Sequence, residues 1–452
     1  MGTKATTITP ELSAEVYQTK QDKVVSSAIL LPFILITCCF ALWGFANDIT
    51  NPMVAAFQKI FMTGATEATW VQVAFYGGYG AMAIPAALFI RRFSYKAGIL
   101  VGLALYAIGG LLFIPASGIG EFFPFLIAYF VITCGLSFLE TTANPYILSM
   151  GSEATATRRL NLAQAFNPIG SLIGMFTASQ FILAQLDERS KAERALLSAE
   201  QFDAVKSSDL SIISQPYIII AVVIAIIFIS IALLKMPEQK QVAVDDASVG
   251  GIFKRLVANK RYREGVIAQV FYVGAQIMCW TFIIHYGTEV FMGEGMSEKD
   301  AQILSQQYNI VAMIIFCLSR FICTFLMKFI NPGRLLMILA FCGILLSAGT
   351  IFIGERTGIY CLVAISACMS LMFPTIYGIA LQKIQGDDAK FAAAGLIMAI
   401  VGGTFLPMLQ ASVIDNWSAA SISAVEASFA LPLICFVIIA IFGYRTYKVH
   451  NV

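Results

Sequence analysis

Apolar residues in this chain come in long unbroken runs rather than in alternation or in narrow helical stripes. A bilayer core about 30 Å thick takes roughly 20 apolar residues per crossing helix. Twelve runs reach that length: 27–57, 68–90, 97–116, 122–149, 160–185, 215–235, 263–290, 301–328, 334–354, 358–382, 391–413 and 427–446. Continuous runs exclude the alternating ten-residue strands of a membrane barrel. The pattern therefore predicts an all-α integral membrane protein of twelve transmembrane helices. Polar stretches divide it into a tail (1–26), a first six-helix half (27–235), a central loop (236–262), a second six-helix half (263–447) and a short end (448–452). The halves echo each other. Phe-Ile-Arg-Arg-Phe (89–93) matches Phe-Leu-Met-Lys-Phe (325–329), and Asn-Pro-Tyr-Ile-Leu (144–148) matches Phe-Pro-Thr-Ile-Tyr (373–377). Pseudo-symmetric halves of this kind place a binding site near mid-membrane between them and permit rocking-type alternating access.

Composition removes the other classes. The 452 residues are 58% hydrophobic and 12% charged, with mean hydropathy +0.79. Soluble chains carry about 25% charged residues, so no water-facing shell can be built here. The net charge of +2 names no polyanionic partner, and nucleic acid is not expected. Position matters more than total. With the N-terminus inside, 21 of the 29 Lys and Arg fall on the cytoplasmic side, which predicts both termini in the cytoplasm. The polar first 26 residues lack a cleavage pattern and do not read as a signal peptide. Ten cysteines sit in apolar runs without metal or redox spacing, reading as small hydrophobes between helices. No metal or cofactor is expected. Neither HExxH nor GxSxG with partners is present, nor a phosphate-cradling glycine loop, so the chain does not read as an enzyme. A membrane sensor would normally add a soluble domain larger than the 27-residue central loop.

Ionisable groups at membrane depth are costly and point to function. Of 27 acids, Asp48 and Glu140 fall well inside apolar runs. Asp48 lies in Asn47-Asp48-Ile49-Thr50-Asn51-Pro52, and Glu140 in Glu140-Thr141-Thr142-Ala143-Asn144-Pro145. Each proline frees a carbonyl one turn back, and irregular polar backbone at this depth is tolerated where it lines a cavity. A carboxyl there either exchanges protons or serves as a fixed hydrogen-bonded acid. The run Arg159-Leu160-Asn161-Leu162-Ala163-Gln164-Ala165-Phe166-Asn167-Pro168 adds three amides spaced by three. Amides donate and accept, which suits hydroxyls that do both; helix–helix bonding is the other use open to them. Two acids, several amides and almost no embedded cation fit a neutral polyhydroxylated ligand. Tyr272, Gln276, Trp280 and Trp43 supply polar groups and aromatic faces on which a sugar can stack. The candidate site is thus Trp43, Asn47, Asn51, Glu140, Asn144, Gln164, Asn167, Tyr272, Gln276 and Trp280, with Glu140 and Asp48 for proton coupling.

These motifs resemble the fucose permease branch of the major facilitator superfamily, in the style of Bacteroides-type bacteria. The resemblance rests on Ser94-Tyr95-Lys96-Ala97-Gly98, Leu139-Glu140-Thr141-Thr142-Ala143-Asn144-Pro145, Arg159-Leu160-Asn161-Leu162-Ala163-Gln164, Phe373-Pro374-Thr375-Ile376 and Val401-Gly402-Gly403. It implies the major facilitator fold and L-fucose uptake by proton symport across the bacterial inner membrane, by a monomer. It also implies that Glu140 couples proton to sugar and that Trp43, Gln164 and Asn167 line the cavity. Glucose, galactose or another hexose, sodium coupling and uncoupled transport stay open at this point. One departure concerns the first helix, where the family acid falls at Asn51 and the acid here is Asp48. Three residues amount to about 60° of rotation and roughly 4.5 Å of rise, so Asp48 can still reach the same cavity.

Overall fold

The computed structural model describes residues 24–50, 53–63, 70–187, 189, 191–236, 248–417 and 422–448. The described chain is helical, and eleven of its helices are long and apolar enough to cross a membrane. The first span, Leu30–Thr50, is followed by Met53–Ile60; the second is Trp70–Arg92 and the third Tyr95–Leu111 with Phe113–Ile119. The fourth, Phe122–Ser149, is continuous through Pro145. The sixth is Ala199–Leu233, the seventh Lys260–Gly293, the eighth Glu298–Leu326 and the ninth Pro332–Phe352. The tenth joins Glu355–Met369 to Met372–Leu381, the eleventh Gly386–Met398 to Gly402–Asn416, and the twelfth Ala424–Ser428 to Ala430–Lys448.

The run at 160–185 differs from a single rod. It is built of Ala156–Gln164, Asn167–Thr177 and a π turn at Ala178–Leu183, so no one helix in it is long enough to count. Pro168 is the physical reason: it has no N–H for the Gln164 carbonyl, and the ladder breaks there. The twelve runs still give twelve passes, the fifth in pieces. The sixth helix also begins well before the expected 215, because Ser198 and Gln201 form a capping box that starts a polar extension.

Two apolar cores result. One is made by spans one to six and the other by spans seven to twelve. Tyr377, Ala380, Leu381 and Phe391–Ile397, from spans ten and eleven, pack into the first core. These residues lie at the end where the first span begins and the twelfth ends, called here the basal end. Below the bundle a short amphipathic helix, Val249–Ala258, lies in the central segment, capped by Ser248.

Spans one and five approach closely enough that only glycine fits. A Cβ on Gly170 would stand 1.8 Å from the Ala41 carbonyl oxygen, and one on Gly44 2.0 Å from that of Asn167. Small residues let membrane helices pack backbone to backbone, and this contact brings the Asn167 amide onto the Phe40 carbonyl. Gly170→Val is expected to cost roughly 1–3 kcal/mol by overpacking, read as a lower melting temperature in detergent. Gly118→Ala, where a Cβ meets nothing within 4 Å, should leave the melting temperature unchanged.

Candidate functional site

Glu140 is completely buried in the middle of the fourth span. Neither carboxyl oxygen makes a hydrogen bond of normal geometry, and it enters no ion pair among the described residues. The Tyr79 hydroxyl, from the second span, lies beside it and beside Trp43. Tyr76, one turn away, stands within electrostatic reach of Asp48. Asp48 and Asn47 are half-buried on the first span. The two tyrosines of the second span therefore stand between the two acids. Asn51 lies outside the described residues.

The amides of this half are already organised. Asn144 donates to the Glu140 carbonyl at 3.0 Å and accepts from Gln164 Nε2 at 2.8 Å. Asn167 donates to the Phe40 carbonyl at 3.2 Å, and the Phe40 ring stacks on Trp43 with centroids 5.8 Å apart. Asn161 turns elsewhere. Its Nδ2 donates at 3.2 Å to Thr375 Oγ1 in the tenth span, linking the two halves. The three amides spaced by three thus point in three directions, since the helix carrying them breaks before Pro168.

In the second half, Trp280 is half-buried, donates from Nε1 to Ser366 Oγ at 3.1 Å and packs edge-on against Phe316 at 4.9 Å. Gln276, one turn earlier, is half-buried as well. Tyr272 differs: it is fully buried in the second core, with its hydroxyl donating to the Met369 carbonyl at 3.2 Å. Two groups that pattern reading passed over belong in this region by their chemistry. Gln269 is fully buried with neither amide atom hydrogen-bonded among the described residues, and the same holds for the buried Tyr377 hydroxyl. Tyr377 is within electrostatic reach of Glu140 from across the halves. The seven-residue spacing from Gln269 to Gln276 puts both on one helix face, which is the signal that reveals the former.

Beneath these groups the halves are locked. Arg320, in the eighth span, is buried and donates Nη1 to the Gln164 carbonyl at 3.0 Å and Nε to the Ser370 carbonyl. Pro168 and Pro374 sit four residues after those two positions and cannot supply the helical N–H. One guanidinium therefore satisfies a proline-freed carbonyl in each half, while its face covers the Phe316 ring at 4.6 Å. Further down, Arg91 reaches Asp387 at 2.7 Å, Lys390 reaches the same carboxylate at 3.0 Å, and Arg255 of the central helix reaches Asp388 at 2.6 Å. Of these, the Arg91 bond ties the second span to the eleventh and closes the basal end between the halves. At the opposite end, Arg356 holds the Glu294 carboxyl below the usual range through hydrogen bonds of 2.7 Å.

A bundle of apolar spans with a polar centre, an uncompensated buried acid and closure at one end defines a multi-pass membrane transporter. A family model described as Major Facilitator Superfamily matches residues 36–406. The chain is 52% identical over 432 residues to the L-fucose-proton symporter of Haemophilus influenzae, covering 94% of this chain and 99% of that one. It is 31% identical to the glucose/galactose transporter of Brucella abortus over 90% of this chain and 92% of that one. The crystal structure of the Escherichia coli fucose:proton symporter aligns with a TM-score of 0.83 and 32% identity, covering 92% of this chain and 98% of that one. The chain belongs to the major facilitator superfamily and, within it, to the fucose permease branch.

Arg320→Gln leaves buried carbonyls without a charged donor and is expected to cost about 3 kcal/mol, measured by thermal unfolding in detergent. Adding Pro168→Ala returns an N–H to the Gln164 carbonyl and should recover part of that loss. Wild-type stability in Arg320→Gln would show that the lock carries no closure energy.

Proposed function

We infer that this protein imports L-fucose together with protons, as a secondary active symporter working by alternating access. The observation that supports the substrate most directly is the 52% identity, over nearly the whole of both chains, to an L-fucose-proton symporter. The chemistry of the site agrees with a neutral sugar. Amides from Asn144, Gln164 and Asn167 can both donate and accept, and Trp43 and Trp280 offer aromatic faces from opposite halves. Asn47 and Gln276 extend the polar lining. Asn51 and Tyr272 complete the proposed set, the former from the sequence alone and the latter through a rearrangement of the state closed at the basal end.

Proton coupling rests on Glu140. A carboxylate buried there without a counter-charge costs several kcal/mol, so the site favours a neutral acid. A protonated carboxyl donates a hydrogen bond to a sugar hydroxyl, and each ligand then strengthens the binding of the other by the same factor. Loaded with both, the halves rock, the Arg320 and Asn161 links across the halves open, and sugar and proton leave at the basal side. The unloaded carriers return. Asp48, behind Tyr76, is the second proton-handling acid in this scheme.

We assign the protein to the bacterial inner membrane, with the basal end and both termini in the cytoplasm, because Lys and Arg concentrate there. The working unit is a monomer of two six-helix halves (27–235 and 263–447), joined by the cytoplasmic segment 236–262 between a cytoplasmic tail (1–26) and end (448–452).

The test is uptake of labelled L-fucose into proteoliposomes. An inward proton gradient should drive accumulation, an uncoupler should abolish it, and excess D-glucose or D-galactose should compete weakly. Accumulation that follows a sodium gradient, or strong competition by the hexoses with little L-fucose entry, would contradict the reading. Gln164→Ala should raise the KM for L-fucose about tenfold, as expected when a sugar hydroxyl loses a hydrogen bond of about 1.5 kcal/mol.

A further inference from the structure

We propose that the outer wall of the second half carries a binding site for an anionic phospholipid, between spans nine and twelve at the basal end. On the outer face of the closely packed pair lies a groove of about 460 Å³, lined by Met337, Ile338, Phe341, Val437, Ile441 and Tyr444 among others. That volume lies within the roughly 300–1,000 Å³ of clefts that hold small ligands. Phe341 is 56% exposed and Ile441 54%, so the groove opens outward, toward the lipid tails of the bilayer. Its apolar walls match an acyl chain.

The basal mouth has the opposite character. Arg334 precedes Ile338 by four residues, and Lys448 follows Tyr444 by four. Each cation thus stands one helical turn, about 6 Å, below a wall of the groove on the same helix face. Both converge on one ring, with Arg334 5.9 Å and Lys448 5.4 Å from the Tyr447 centroid. Both are exposed, and neither forms an ion pair among the described residues. The neighbouring Arg445 is occupied by Glu264 at 2.8 Å, so the local carboxylate is engaged elsewhere. Two uncompensated cations at headgroup level, directly below an acyl-sized groove, match a phosphodiester with its tails inserted above. Basic pockets between helices recognise anionic headgroups in this way. A zwitterionic lipid offers the same tails but carries its own cation, and it satisfies the pair poorly.

The test is native mass spectrometry of the full-length, delipidated protein with phosphatidylglycerol or phosphatidylcholine of identical chains. The wild type should bind phosphatidylglycerol in preference. Each cation contributes about fivefold to affinity at a membrane surface, so Arg334→Gln and Lys448→Gln together should weaken that binding about twenty-fivefold. Lys254→Gln, an exposed cation elsewhere at the basal end, should leave it unchanged. Ala440→Phe, which narrows the groove and keeps both charges, should weaken binding too. The single substitutions, about fivefold each, replace the pair if the double variant does not fold. Equal binding of the two lipids, or unchanged phosphatidylglycerol binding in the charge variants, would overturn the proposal. Full displacement by inorganic phosphate would show a headgroup site without a lipid and would overturn it as well.

Discussion

The closed form of this protein hangs on one guanidinium. Among the described residues Arg320 forms no ion pair; it is held by the carbonyls of Gln164 and Ser370, left open by Pro168 and Pro374. The arrangement solves two problems together. A buried cation needs acceptors, and a proline in a membrane helix exposes a carbonyl that lipid cannot satisfy. Since one carbonyl belongs to each half, the solution also fastens the halves. Asn161 with Thr375, and the ion pairs of Asp387 and Asp388, extend that closure toward the basal surface. The bonds of Arg320 to Gln164, Asn161 to Thr375 and Arg91 to Asp387 join groups of opposite halves, which must separate when the other side opens.

The lock and the binding region share parts. Gln164 gives its carbonyl to Arg320 and its amide to Asn144, which in turn binds the Glu140 carbonyl. Phe316 packs against Trp280 on one side and under Arg320 on the other. A ligand that draws the Gln164 amide away from Asn144, or presses on Trp280, therefore acts on groups in direct contact with the fastening. This continuity gives a physical route from occupancy to closure without a separate relay.

Much of this was readable in the sequence, for reasons that also explain what was not. Bilayer thickness imposes run length, so the passes could be counted. Asp48 and Glu140 stood out because acids are rare at that depth. The directions of Asn161, Gln164 and Asn167 could not be read, because a spacing of three implies one face only while the helix is continuous, and Pro168 interrupts it. Which carbonyls Arg320 binds could not be read: they lie 156 and 50 residues away, and backbone leaves no signature in side-chain patterns. Gln269 was overlooked for a similar reason, since one amide among apolar residues resembles helix glue until its partners are found missing. Tyr272 was readable as an aromatic with a polar tip, but not as one turned into the core.

Glu140 is where chemistry and architecture meet. It is fully buried, lies beside the Tyr79 hydroxyl, which also reaches Trp43, and enters no ion pair among the described residues. The account holds that its proton travels with the sugar. The most direct measurement is L-fucose-evoked alkalinisation outside right-side-out vesicles, comparing wild type with Glu140→Gln while labelled fucose exchange is followed in parallel. The account requires a proton signal in the wild type that vanishes in Glu140→Gln, with exchange of bound sugar retained. An undiminished proton signal in Glu140→Gln would move the coupling to another group and contradict it.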